Sequence, residues 1–312
     1  MTDVEKKLNK RWGKEHEDNR DWPVYNGQLI KRGEYFLDLD WVKGWDNELD
    51  AMNQNKVGAP FQFPESMIRM QSVWHAIGVP LRTIEGITIQ LRDIAELPAY
   101  NDFSTIGRRI NDMDATIAPP PGGASTMFCD GSGFQAISGG EYLREKYGKK
   151  NRRWVQVIIL GDPVTKEPVS FEVRLIPSSE PESAIRQLDR LKEQGAAPQE
   201  FGGDGAFDDS RIWKLCEKRL MRPVIKPDEN ARTDGDSPLR NYNAAYRKKN
   251  GYEGWARHNG YGRRWPATEG IFSAVKRMFG EQLAAKSEIG MVQEAKIKFW
   301  AYKLLKNYGE AQ

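Results

Sequence analysis

The sequence predicts an α/β protein, with a mixed five-stranded sheet flanked by helices and a mainly helical region ahead of it. Three observations carry this. The stretch "WVQVIIL", 154 to 160, is apolar and β-branched, as a buried strand should be. From there onward, strand patterns alternate with helical ones. Before residue 118 apolar residues recur at helical spacing instead, and "APPPGG", 118 to 123, separates the two regimes. Three prolines and two glycines cannot continue a helix or a central strand.

Taken in order, residues 23–48 read as a short strand pair or an arm. Residues 65–77, with Ile68, Val73, Trp74 and Ile77, form a helix ended by "GVP". Leu81, Ile84, Ile87, Leu91 and Ile94 make a regular helical stripe. A short helix from Ser104 to Ile110 presents Arg108 and Arg109. Short helices joined by Gly/Pro turns, the last one basic, suit a helix-turn-helix DNA reader. A small helical bundle with a basic surface turn accounts for the same residues equally well.

After the boundary, Ser125–Cys129 is a strand, and "GDPVTKEP" turns between strand 154–160 and an alternating strand over Val169–Ile176. Ser179–Gln194 is a helix with Ala184, Leu188 and Leu191 on one stripe, closed by Gly195. "QEFGGD" is a strand ending on Asp204. Asp208–Leu220 is a helix, and "RPVIKP" is the fifth strand. A long basic and aromatic loop at about 227–265 follows, then a helix from about Pro266 to Gly280. The organisation expected is an N-terminal arm and helical DNA-binding region over 1–118 and the sheet domain over 119–312.

Composition narrows the function. The net charge is +3, but from Arg211 onward 21 Lys and Arg stand against 11 Asp and Glu, about +10. The first half is close to neutral or acidic. A basic half points to a polyanion partner, with a solvated surface as the plain alternative. No apolar run is long enough to cross a membrane. The N-terminal stretch "MTDVEKKLNKRWGKEHEDNR" lacks the apolar core of a signal peptide, so a cytoplasmic protein is expected. Cys129 and Cys216 both sit in apolar patterns and read as buried thiols. His16, His75 and His258 are the only histidines, which argues against histidine-rich zinc chemistry.

Carboxylates carry the remaining signal. Asp130, in "TMFCDGSGF", and Asp204, in "FGGDGAFDD", each close a strand and are each followed by glycine. If their strands are neighbours, two acids lie at one edge and repel unless a divalent cation holds them. Oxygen-only ligands favour magnesium or manganese over zinc. The plain alternative is that each caps a turn, as Asp208 and Asp209 do for the helix after them. Glu269 opens the last helix, and Lys276 follows it by about two turns, on the same face.

With these residues in place the chain resembles insertion-sequence transposases of the DDE type, in the group with a Tyr-Arg-Glu-Lys signature. "DGSGF" is similar to the first-aspartate motif, "GDGAFDD" to the second, and "TEGIFSAVKRMFG" to the glutamate helix, with Lys276 at the signature spacing. Tyr261 and Arg264 keep their mutual spacing and lie one residue farther from Glu269 than the signature has them. The resemblance implies an RNase-H-like catalytic domain. It implies two divalent ions, Mg²⁺ or Mn²⁺, held by Asp130, Asp204 and Glu269, activating water and then a 3′ hydroxyl and stabilising the leaving 3′ oxygen. Lys276, Arg264, Tyr261, Arg263 and Arg277 would contact DNA there, and Arg108 and Arg109 in the helical region. The partners implied are double-stranded DNA, as terminal inverted repeats and target, and a second copy of the chain. The protein would sit on the nucleoid when DNA-bound. An RNase-H-like nuclease or resolvase without strand transfer, and a non-catalytic DNA-binding relative, are the rival readings.

Overall fold

The structure, a computed structural model, describes residues 9–11, 14–16, 20–136, 154–175 and 178–311. It divides into two units, residues 40–303 and residues 1–39 with 304–312. In the smaller unit β1 (Asn9–Arg11) and β2 (Lys14–His16) pair antiparallel. Asp21 accepts a hydrogen bond from the Val24 N–H, and Pro23 occupies the first turn of α1 (Trp22–Glu34). Proline near the start and an aspartate cap are helix-opening chemistry. In the larger unit α2 (Trp45–Asn53) follows a 3₁₀ turn. The strand pair or arm expected over 23–48 is therefore helical, since those opening signals outweigh its β-branched and aromatic content.

α3 (Glu65–Ala76), α4 (Leu81–Ala95) and α5 (Phe103–Asp112) form the helical region ahead of the sheet. Gln71 and Asn101 exchange amide hydrogen bonds of 2.6 and 3.0 Å in its interior. The Asp102 carboxylate caps α5 through the Ser104 and Thr105 N–H groups.

The sheet is mixed, with six strands rather than five. β3 (Thr126–Ala136) is central. β4 (Trp154–Gly161) pairs antiparallel on one side of it, and β5 (Pro168–Arg174) pairs antiparallel with β4. Ile176, the expected end of that strand, lies outside the described residues. α6 (Glu180–Glu193) crosses over to β6 (Glu200–Gly203), which runs parallel to β3 on the side away from β4. α7 (Ser210–Arg219) then leads to β7 (Arg222–Ile225), parallel to β6. The sixth strand, β8 (Gln282–Leu283), is two residues long and pairs with the far end of β3.

β3 is longer than its sequence suggests. It does not end at Asp130 but continues to Ala136, because β4 pairs with it from Phe128 through Gln135. Gly131 and Gly133 are therefore strand positions and not a turn. Each admits a side chain where a Cβ would stand, Glu180 at Gly131 and Trp154 at Gly133.

The expected loop at 227–265 is mostly helix. Ser237 caps α8 (Pro238–Asn259), Pro238 opens it, and Gly251, at φ 70°, kinks it. Its Asn, Gly and Lys content reads as loop, but Trp255 and Asn243 are buried and hydrogen-bonded to each other at 3.0 Å. The single helix expected from about Pro266 is two, α9 (Arg264–Ala267) and α10 (Glu269–Phe279), broken at Thr268. A long final helix, α11 (Glu288–Glu310), went unread in the sequence.

One face of the sheet packs Met127, Cys129, Ile158 and Leu160 against Leu188, Leu191, Trp213 and Cys216 of α6 and α7. On the other, Phe128 and Val224 meet Trp255, Tyr261 and Ala267. Phe299 of α11 meets the rings of Phe134, Phe171 and Phe272. Each such side chain contributes about 1.5–3 kcal/mol by leaving water. α11 also joins the helical region, through Gln293 to the Ile110 and Met113 carbonyls. The expected 118/119 boundary thus falls inside the larger unit.

Gly161 fixes where α9 lies. A Cβ there would collide with the Ala267 carbonyl oxygen and with Ile271. Gly161→Ala should destabilise the chain by about 1–3 kcal/mol through overpacking. Urea unfolding checks this, and a wild-type midpoint would show that the two backbones do not bear on each other.

Candidate active site

Strand register brings the first two acids together. β3 and β6 pair Phe128 with Gly202, so two residues on Asp130 is level with Asp204. Neighbouring strands lie about 4.8 Å apart. Alternation puts Asp130 on the Phe128 face, the face that Tyr261 and Ala267 cover. Glu269 enters from that side as the first residue of α10.

Arg264 ties two of the acids. Its guanidinium donates to Asp130 Oδ2 at 3.1 Å and to Glu269 Oε1 at 2.6 Å. Beneath it lies the buried Tyr261 ring, 5.7 Å from the guanidinium carbon. Tyr261 in turn packs on Trp255 at 5.1 Å. The break at Thr268, φ −127° and ψ −79°, lets Arg264 fold back onto Glu269 although five positions separate them. The one-residue offset from the signature therefore does not part Arg264 from the acids.

Asp204 makes a local bond as well, capping the next turn through the Ala206 N–H at 2.8 Å. Asp209 caps α7 as expected, through Arg211 N–H. Asp208 does not cap. Its side chain is buried, and both its oxygens take 2.7 Å bonds from Arg240. A fourth acid lies near the cluster, Glu180 at the start of α6, which stands in no sequence motif.

The charges are held unfavourably. Burial pushes the Asp130 carboxyl above its ordinary pKa; Arg264 and the Gly131 N–H oppose this and Asp204 adds to it. Burial raises Glu180 too, and Asp130 and Asp204 add to that. Both cysteines are buried free thiols, and burial lifts Cys216 up to about 12, so neither is a nucleophile.

A cleft of about 390 Å³ opens on Asp130 and Glu269, lined also by Ser273, Lys276, Arg277 and Glu281. Lys276 is half-buried, with its ammonium 5.4 Å from the Phe134 ring centroid. Arg277 is exposed. Arg263 is engaged elsewhere, 2.7 Å from Glu200. In the helical region Arg108 is exposed, while Arg109 is held by Glu65 at 3.0 Å and stacks over Phe61. Trp265 is 51% exposed beside the site, whereas Trp255 is core.

Among the described residues no three acids, histidines or cysteines are yet gathered tightly enough to hold an ion. The donor set nonetheless suits a hard divalent cation. It is all carboxylate oxygen, and the guanidinium of Arg264 now lies between two of its members. Asp130, Asp204 and Glu269 are the residues that could hold Mg²⁺ or Mn²⁺.

Residues 30–138 match the family model described as "Transposase DDE domain". The resemblance to DDE transposases read from the motifs holds over that segment, which takes in Asp130 and stops short of Asp204 and Glu269. No curated protein matches the chain. Among solved structures, a piggyBac transposase synaptic complex with hairpin DNA aligns over 91% of this chain and 78% of its own, at 10% identity and a TM-score of 0.35. No helix among the described residues is long and apolar enough to cross a membrane.

The raised carboxyls set a pH dependence. The folded chain binds their protons more tightly than the unfolded chain, so these groups lower stability as pH rises through the ordinary carboxylate range and up to their raised values. Above that window the penalty is complete. Asp130→Asn removes the Asp130 share, so in chelator the variant should melt above wild type at pH 8, with the gap closing by pH 4. Thermal melts across that range test it, and a variant that melts lower at pH 8 would contradict the assignment.

Proposed function

We propose that this chain is a DDE transposase that cleaves DNA strands at the ends of an insertion sequence and joins them to a target, in a divalent-metal-dependent reaction. The observation that carries the reading is the Arg264 bridge between Asp130, on a central strand, and Glu269, at a helix start, with Asp204 level with Asp130 at the end of the neighbouring strand. The family match supports it from an independent direction. The strand order β5-β4-β3-β6-β7, with an antiparallel meander followed by two parallel strands, supports an RNase-H-like catalytic domain.

A bound divalent ion supplies Lewis-acid stabilisation of the attacking and leaving oxygens of an in-line displacement. The chain's own residues do the rest. Asp130 and Asp204 present oxygens from rigid strand geometry, and Glu269 swings from an exposed helix start to complete the set. Arg264, held flat by Tyr261, is placed to receive a phosphate once Glu269 turns away. Lys276 holds a phosphate at the mouth of the cleft. Trp265 stacks an unpaired base beside the cut, which the buried Trp255 cannot do. Lys248, Lys249 and Arg257 on the exposed side of α8 extend the phosphate track, and Arg108 in the helical region reads the element's ends. A pair of chains would synapse the two ends.

Asp204→Asn or Glu269→Gln should lower cleavage of the flanking DNA ends in Mg²⁺ by about a thousandfold or more, since several kcal/mol of transition-state stabilisation are lost at ~1.4 kcal/mol per decade. End binding in a gel-shift assay should change little. Normal cleavage by either variant rejects the reading.

Lys276→Ala should reduce the salt slope of DNA binding by about one phosphate contact. Trp265→Ala should weaken binding of ends with an unpaired base by about 1–3 kcal/mol while leaving fully paired duplex unaffected. An equal loss on both substrates would return Trp265 to a packing role.

A further inference from the structure

Arg264 divides its two terminal nitrogens between different acids. Nη1 donates to Asp130 Oδ2 at 3.1 Å and Nη2 to Glu269 Oε1 at 2.6 Å. These are two of the three residues read as holding a divalent ion. The backbone of Arg264 is fixed, since its carbonyl accepts from the Thr268 N–H and from the Thr268 hydroxyl, both at 3.0 Å. Its head is less constrained. The side chain is 18% exposed, and its methylene stem lets the guanidinium leave the acids without moving α9. A guanidinium fork that fits carboxylate oxygens also fits two oxygens of one phosphate.

We propose that Arg264 is an internal counter-ion that competes with the divalent cation for Asp130 and Glu269, and that a DNA phosphate relieves the competition by taking the guanidinium. This rests on the reading of those acids as metal-holding residues. Two cations cannot use the same carboxylate oxygens without repelling each other. While Arg264 bridges the acids, only the molecules in which it has left bind metal at full strength, so the apparent affinity falls by that fraction. A phosphate that binds the departed guanidinium enlarges the fraction. Linkage then requires the metal to raise affinity for the phosphate by the same factor. Metal loading and DNA binding become one coupled event. The competing account is a fixed clamp that aims Asp130 and Glu269 at the ion and stays in place. The two accounts differ in sign, because removing a competitor tightens metal binding and removing a clamp weakens it.

The test titrates the full chain with Mn²⁺ by electron paramagnetic resonance, first without DNA. Arg264→Gln removes the charge and should tighten Mn²⁺ binding by about tenfold or more, within the usual size of such couplings. In thermal melts it should start below wild type in chelator and gain more from Mn²⁺. Arg264→Lys keeps a charge that cannot span both acids, and its Mn²⁺ affinity should fall between the two, which keeps the test open where Arg264→Gln folds poorly. Then a short DNA duplex is added to saturation, with Mn²⁺ held by the duplex alone subtracted. Wild-type Mn²⁺ affinity should rise toward that of Arg264→Gln, and the variant should respond less. Unchanged or weaker Mn²⁺ binding by both variants without DNA overturns the proposal, as does an equal DNA-induced rise in wild type and Arg264→Gln. Asp130→Asn separates the two levels. If it loses Mn²⁺ while the Arg264 variants bind no more tightly than wild type, only the Arg264 inference fails. If Asp130→Asn binds Mn²⁺ as wild type does, the metal-site reading fails with it.

Discussion

Carboxylates brought together in a half-buried cleft repel one another, and the surroundings of Asp130 are arranged to hold that repulsion in place. At an effective dielectric of about 20, two unit charges about 4 Å apart exchange roughly 4 kcal/mol. One guanidinium therefore offsets about one carboxylate. Arg264 bonds to two, and Asp204 and Glu180 stand close by without it. The acids stay because the β3–β6 register and the start of α6 give Asp130, Asp204 and Glu180 no backbone freedom to separate. Glu269, exposed at a helix start, can move without unfolding anything.

This arrangement makes stability and chemistry oppose each other. The raised pKa of Asp130 means that its charged form is disfavoured by the fold, the reverse of Asp208, where Arg240 and other donors overcome burial and lower the pKa. Two aspartates at the same edge of the sheet thus serve opposite ends. Asp208 is a satisfied structural anion, whereas at Asp130 burial outweighs the Arg264 guanidinium and the Gly131 N–H. Active sites keep such disfavoured charge where an incoming ligand supplies the compensation.

Much of the fold was legible because its strands are short, apolar and separated by strong turn signals. "WVQVIIL" and "EFGG" need no tertiary information to be read as strands. The extent of β3 did need it. Gly131 and Gly133 read as a turn, and what keeps them extended is pairing with β4 and the side chains of Glu180 and Trp154 lying over them. α8 was hidden by its asparagines and glycines, whose side chains and kink are used inside the helix. Asp130, Asp204 and Glu269 were legible from local motifs. Glu180 carried no local signal, because its meaning lies in facing Gly131, forty-nine positions upstream. Arg109 and Arg263 looked available for DNA for the same reason, since Glu65 and Glu200 are their partners only in space.

The turn that carries Asp204 also holds the basic helix. Four residues past Asp204, Asp208 grips Arg240 near the start of α8 and takes the Trp213 indole N–H at 2.8 Å. Glu217 receives Ser237 and the Leu239 N–H at the same end, and the Arg247 guanidinium reaches the Pro227 carbonyl. A loop of the same composition would have to be ordered on meeting a polyanion, at roughly 1–2 kcal/mol per residue of backbone entropy. In α8 that ordering is already done by folding. Lys248, Lys249 and Arg257 are therefore displayed from an element whose anchor is the Asp204 turn itself. On the proposed function, phosphates bound along α8 are positioned relative to the carboxylates by the same few bonds that fold the sheet edge.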